Sequence, residues 1–176
     1  STTADGAASP TTRLTIDSTG KATFTVDASI NSVNIGKGAN SVAGNTVLGE
    51  SALDAAVTGT NNTAIGNNSL SGNTSGTGNS GLGQNTLFSN TTGNYNTSVG
   101  QRSLQLNTTG SNNTGFGQAS LGSNTTASNN TAVGKSALGS NTTGTENSAL
   151  GSQALLSNTT GDANIAIGYE ALDANT

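Results

Sequence analysis

The sequence contains no cysteine, methionine, tryptophan or histidine, and its single proline is Pro10. Without cysteine or histidine it offers no disulfide, no thiolate metal site and no imidazole chemistry. Aromatic residues make up 3%, charged residues 8% and hydrophobic residues 30% of the 176 positions. So small an apolar share does not fill one large globular core, and by itself it points to disorder. A net charge of only −4 argues the other way. The five basic residues, Arg13, Lys21, Lys37, Arg102 and Lys135, are scattered, so no basic stripe exists to neutralise phosphates and no nucleic-acid partner is expected. Apolar runs fall well short of the roughly 18 residues that span a membrane, so no membrane insertion is expected either. No signal peptide is seen and the sequence starts at Ser1, which reads as a processed precursor or an excised segment.

What is present is a tandem repeat. From Asn45 the sequence falls into a 17-residue register without insertions, as in NTAIGNNSLSGNTSGTG, NTSVGQRSLQLNTTGSN and NTAVGKSALGSNTTGTE. Seven copies are complete and the eighth, NIAIGYEALDANT, stops four residues short, with no cap in sight. The consensus is N-[ST]-small-apolar-G-x-x-small-L-x-x-N-T-T-G-x-x. Asn, Gly, Ser and Thr are poor helix formers and the apolar columns lie five apart, so a helix is excluded. The prediction is all-β: a parallel β-roll or β-solenoid, each coil carrying two short strands. Bends are expected at the glycine of position five and at N-T-T-G. Eight coils at about 4.8 Å each make a rod of roughly 40 Å.

Two columns are expected to fill the core. Position four is always large and apolar (Leu48, Ile65, Leu82, Val99, Phe116, Val133, Leu150, Ile167), and position nine is always leucine, from Leu53 to Leu172. Position two alternates with position four and shares its direction. The asparagine of position one, from Asn45 to Asn164, is placed for a side-chain amide ladder. Position three holds only Val47, Ala64, Gly81, Ser98, Gly115, Ala132, Ala149 and Ala166. An outward column restricted to small residues suggests packing against another chain in a parallel homotrimer, since a thin core commonly needs oligomerisation. The alternative is that this column packs against the far wall of its own coil.

Ahead of the array, residues 1–30 read as a connector with a β-hairpin, its strands near 13–17 and 21–26 around Ser-Thr-Gly. Residues 31–44 read as a transitional short coil, and 45–176 as the array.

The N-[ST]-A-[IV]-G core followed by A-L resembles the head repeats of trimeric autotransporter adhesins, which form left-handed parallel β-rolls packed as trimers. Those repeats run nearer 14 residues, so a longer N-T-T-G turn is implied here. The segment NSVNIGKGANSVAG from Asn31 is closer to the shorter type, with Ile35-Gly36 13 residues before Leu48-Gly49. Similar NTAVG…AL…NTTG arrays occur in bacteriophage tail fibres, and Arg13-Leu14-Thr15-Ile16-Asp17-Ser18-Thr19-Gly20-Lys21 resembles a segment common before them. The resemblance spans about residues 13 to 176 and lacks an autotransporter's stalk and anchor.

No catalytic constellation can be assembled, and no enzyme activity, cofactor or metal is expected. Glu50 with Asp54 and Glu170 with Asp173 are near neighbours, but solvated turns explain them. Calcium-binding β-rolls place an aspartate in each turn, and most turns here have none. Asn73, Asn90, Asn107, Asn124, Asn141 and Asn158 lie in N-x-[ST] sequons; as turn and ladder residues they need no glycan. The Thr or Ser column of position 14 (Thr58, Ser75, Thr92, Thr109, Thr126, Thr143, Thr160) raises an ice-binding alternative, weakened by the bend implied at position 15.

Among the variable columns Phe88, Tyr95, Arg102 and Tyr169, with Leu106 and Leu156, stand out from their Ser and Asn surroundings. They are candidate contacts to a host-surface glycan or protein, against the reading that they pack locally. The function expected is a structural fibre segment of a phage tail fibre or similar appendage, on a virion or extracellular, acting as a rigid spacer and candidate host contact. The alternatives are a bacterial extracellular adhesin or self-assembling filament subunit, and an ice-binding β-solenoid.

Overall fold

The computed structural model describes residues 14–20, 22–24 and 27–173. Among them there is no α-helix; one 3-10 turn, Ala39–Ser41, accompanies twelve short strands. Strands β1 (Leu14–Ile16) and β2 (Ala22–Phe24) form the antiparallel hairpin expected of the connector, in a two-stranded sheet of their own. Asp17 shapes its turn by accepting from the Thr19 amide at 2.9 Å.

The array is a parallel β-solenoid. Strands β5 (Thr46–Gly49), β6 (Thr63–Ile65), β7 (Ser80–Leu82), β8 (Thr97–Val99), β9 (Thr114–Phe116), β10 (Thr131–Val133), β11 (Ser148–Leu150) and β12 (Ile165–Ile167) stack in parallel, each column on itself. Each coil contributes one strand, not the two expected. The S-x-L segment is a turn in which positions seven and nine both adopt left-handed φ, as at Asn85 (56°) and Leu87 (49°). Its amides still bond the next coil, Leu87 N donating to Ser103 O at 3.2 Å, so the stack remains continuous there. Glycine is favoured at position five, where φ lies between 110° and 157° and, from Gly49 to Gly151, an added Cβ would strike the backbone of the next glycine in the column.

Residues 31–44 do not form a short coil. Asn31 and Ser32 both take left-handed φ, 50° and 66°, the signature of a two-residue hairpin turn. The chain therefore doubles back, and β4 (Val33–Gly36) pairs antiparallel with both β3 (Ala28–Ile30) and β5. Ile35 lies beside Leu48, but running the opposite way. Asp27 locks this cap, its carboxylate accepting from the amides of Lys37 (2.8 Å) and Gly38 (2.6 Å).

The core columns are three and nine, not four and nine. The position-nine leucines from Leu53 to Leu155 are fully buried, and Val47, Ala64, Gly81, Ser98, Gly115, Ala132, Ala149 and Ala166 are buried beside them in their own chain. Side chains alternate along the strand as expected, but in the opposite sense. The coil is too narrow for a large side chain on the strand as well as the leucine, so the small column turns inward and the large one outward. The expected contact of position three with a second chain is thereby corrected: its side chains are enclosed by their own coils.

Position eight explains why position three stays small. Gly115 lies where a Cβ would come within 2.5 Å of Ser103 Oγ and 3.0 Å of Ser120 Oγ, and Gly81 likewise meets Ser69 and Thr86. Where both flanking position-eight residues carry hydroxyls, position three is Gly81, Ser98 or Gly115; where at least one is alanine, it is Ala64, Ala132, Ala149 or Ala166. The two columns share one volume.

Candidate functional site

Two asparagine ladders run through the interior. At position one, Oδ1 accepts from the backbone amide of the next asparagine in the column (Asn113 N to Asn96, 3.0 Å), while Nδ2 donates to the position-15 carbonyl (Asn113 to Ala127 O, 2.8 Å). At position 12 the amides bond each other directly, Asn107 Nδ2 to Asn90 Oδ1 and Asn124 Nδ2 to Asn107 Oδ1, both 2.8 Å. They too donate to the position-15 carbonyl, Asn107 to Gly110 O at 2.9 Å. The first ladder is the one expected at position one, and the second is made by the asparagines expected to serve as turn and ladder residues. The sequon asparagines from Asn73 to Asn158 are these buried amides, which leaves no room for a glycan on them.

Burying the small column exposes the large one. Positions two and four form the outer face of the sheet, and Leu82, Phe116 and Ile167 are 50%, 56% and 71% exposed. Ile35 of β4, paired with Leu48, continues the stripe onto the cap. No residue in either outward column of the eight coils carries a charge; the charged side chains of the coils lie in other columns. An unbroken uncharged apolar stripe along a polar rod is the largest chemical anomaly of this surface.

No protein family, curated protein or solved structure matches this chain. Its surfaces have to be understood from their own chemistry.

The residues expected to meet a receptor are exposed but scattered. Phe88 stands at position ten, Tyr95 at seventeen, Arg102 at seven and Tyr169 at six. A Cβ added at Gly78 would meet the Tyr95 ring at 2.7 Å, so that ring lies over the coil beneath it. Tyr169 has its phenol pKa raised, first by a hydrogen bond to Glu170 and then by that carboxylate's charge. Arg102 alone borders a concavity: an open trough of about 300 Å³ lined by Arg102, Gln105, Leu106, Ala119, Gly122, Ser123, Ser136, Gly139, Ser140 and Leu156. It exists because position ten is glycine at Gly122 and Gly139, between Gln105 and Leu156. Phe88, Tyr95 and Tyr169 do not line it.

Position 16 forms a further ladder in which a side-chain oxygen caps the amide of the same position one coil earlier. Ser128 Oγ accepts from Ser111 N at 3.0 Å, and Asp162 Oδ1 accepts from Thr145 N at 2.6 Å and from Thr145 Oγ1 at 3.0 Å. The amide bond first, and the hydroxyl second, lower the Asp162 pKa. The position-14 column of the ice-binding alternative is exposed in all seven coils, yet lies off the flat strand, on a bend in every coil but that of Thr58.

Proposed function

We infer that this chain is a structural segment of a fibre, a stiff spacer of the kind used in phage tail fibres and similar appendages on a virion or outside a cell, working alongside copies of itself. The observation that carries the reading is the uncharged apolar stripe on the outer sheet face of a rod whose interior is held by two asparagine ladders. A lone spacer in water has no use for such a stripe, whereas a bundled one buries it. The parallel homotrimer expected from the sequence remains one way to bury it, with Leu82, Phe116 and their column on the common axis in place of position three. Variable outward residues, among them Arg102 at its trough, are the candidate host contacts.

The filament alternative needs free strand edges at the ends of the stack. At the N-terminal end β4 covers β5 and leaves only three-residue β3 as the edge, which disfavours head-to-tail addition there. Small-angle scattering with sedimentation tests the proposal. The expected particle is an elongated rod of more than one chain. A compact particle, or a monomer at every concentration, would sink it.

A further inference from the structure

The order of side chains along the outer stripe carries information that a bare apolar face does not. Counted outward from Phe116 on β9, position four runs Val99 and Val133, then Leu82 and Leu150, then isoleucine on both β6 and β12. Position two beside it is threonine on β8 and β10 and serine on β7 and β11, departing only where Ile165 of β12 answers a threonine of β6. From β6 to β12 the face is thus nearly the same read in either direction from β9, while Leu48 of β5 and Ile35 of β4 lie outside this symmetric stretch.

We propose that a second copy of this chain docks on this face in antiparallel orientation, about a two-fold axis running along β9. The inference rests on the self-association proposed above. Such an axis preserves the columns and exchanges β8 with β10, β7 with β11 and β6 with β12. Val99 then meets the partner's Val133 and Leu82 the partner's Leu150, with the two Phe116 rings together on the axis. A parallel pairing sets each residue against its own copy whatever the order, so it gives no reason for a symmetric one. An antiparallel, isologous pairing matches layer with layer only if the order is symmetric. Size fits as well: the bulkiest side chain sits at the centre with valine, the smallest of the column, on either side, which leaves hollows for two rings to slip past each other. The two columns carry no charge to desolvate.

Seven overlapping strands give a footprint about 34 Å long and about 10 Å wide before side-chain relief is counted. That lies well below the roughly 800 Å² per partner of a standard interface, so weak, concentration-dependent association is expected.

The absence of cysteine allows a clean test. Ser80→Cys and Ser148→Cys, both on the outer face and about 19 Å apart along the stack, are prepared separately and treated with a short bifunctional maleimide, alone and mixed. The antiparallel pair predicts cross-linked dimers in the mixture and only background in either variant alone, with native protein sedimenting as a dimer. Phe116→Lys, an exposed position, is expected to keep the native circular dichroism and sediment as a monomer. Cross-linking within each variant alone, or a trimer mass, overturns the two-fold and leaves parallel association standing. A monomer at every concentration, with no cross-linking above that of Thr143→Cys on another face, overturns both. A Phe116→Lys protein that stays dimeric overturns the central placement of that residue.

Discussion

At the residue scale the coil interior behaves as a set of shared volumes and shared hydrogen bonds, and each can be broken and repaired. Gly115→Ala places a methyl against Ser103 Oγ and Ser120 Oγ and is expected to destabilise by ~1–3 kcal/mol. Adding Ser103→Ala and Ser120→Ala should restore most of that in urea unfolding, because Ala149 already lies between Ala137 and Ala154; a triple variant no better than the single one would refute the shared volume. Asn107→Ala strands Asn90 Oδ1 in the interior, with an expected loss of ~1–3 kcal/mol. Asn107→Asp should lose more at neutral pH, since a buried carboxylate cannot donate, and part of the deficit should return in acid as it protonates. Asp162 has the opposite acid response. Its pKa is lowered on folding, so its contribution is complete above the ordinary aspartate range and disappears as pH falls through the lowered value. Asp162→Asn should flatten that acid limb and keep the cap, as Asn94 does for Thr77 N at 2.8 Å. The position-nine leucines and position-five glycines were legible from their invariance alone. The sense of positions three and four was not, because alternation fixes which residues share a face but not which face is inside. Nor was the left-handed φ of Leu104, 49°, since leucine gives no turn signal and holds that conformation only because burial of ~1.5–3 kcal/mol outweighs its cost of roughly 1–2 kcal/mol.

At the element scale the unit is the coil, and its length matters more than its particular sequence. Deleting residues 113–129 removes one whole coil and leaves every ladder in register, because side chains bond across separations of 14 and 17 residues, as Asn113 does with Ala127 and Asn96. Such a protein should fold with an unchanged circular dichroism spectrum, whereas deleting 113–128 shifts every later column by one and turns its outward residues inward. Equal stability of the two deletions would count against a register set by stacking. The cap is a separate element with its own failure mode. Asp27→Ala removes both bonds to the Lys37 and Gly38 amides, so hydrogen exchange should quicken in β4 and along Thr46–Gly49 while β8 to β10 stay protected. The β1–β2 hairpin was legible because Ser-Thr-Gly is an ordinary turn signal. The β3–β4 hairpin was not legible, because the repeat spacing places Ile35-Gly36 in the array although Asn31-Ser32 carries the reversal.

For the whole molecule, coil number sets length, and this is where structure meets proposed function. Each coil touches only its neighbours along the stack, so free energy accumulates as intrinsic and nearest-neighbour terms, and the rod can grow without a change in cross-section. A globular core cannot do this: its added residues change every dimension. Inserting two coils, copies of residues 96–129, should lengthen the particle by about 10 Å, leave its cross-sectional radius of gyration unchanged in small-angle scattering, and raise its urea midpoint. A thicker particle, or a fall in stability, would mean that the coils are not interchangeable spacers. Insertion also lengthens the docking face. Copying residues 96–129 moves the centre of the stripe: from Ile65 on, position four then runs Ile, Leu, Val, Phe, Val, Phe, Val, Leu, Ile, still the same in both directions but now about the inserted copy of Val99. The longer rod should therefore associate more tightly than the native one in sedimentation, because two more levels are matched across the pair, and equal or weaker association would mean that this stripe is not the docking face.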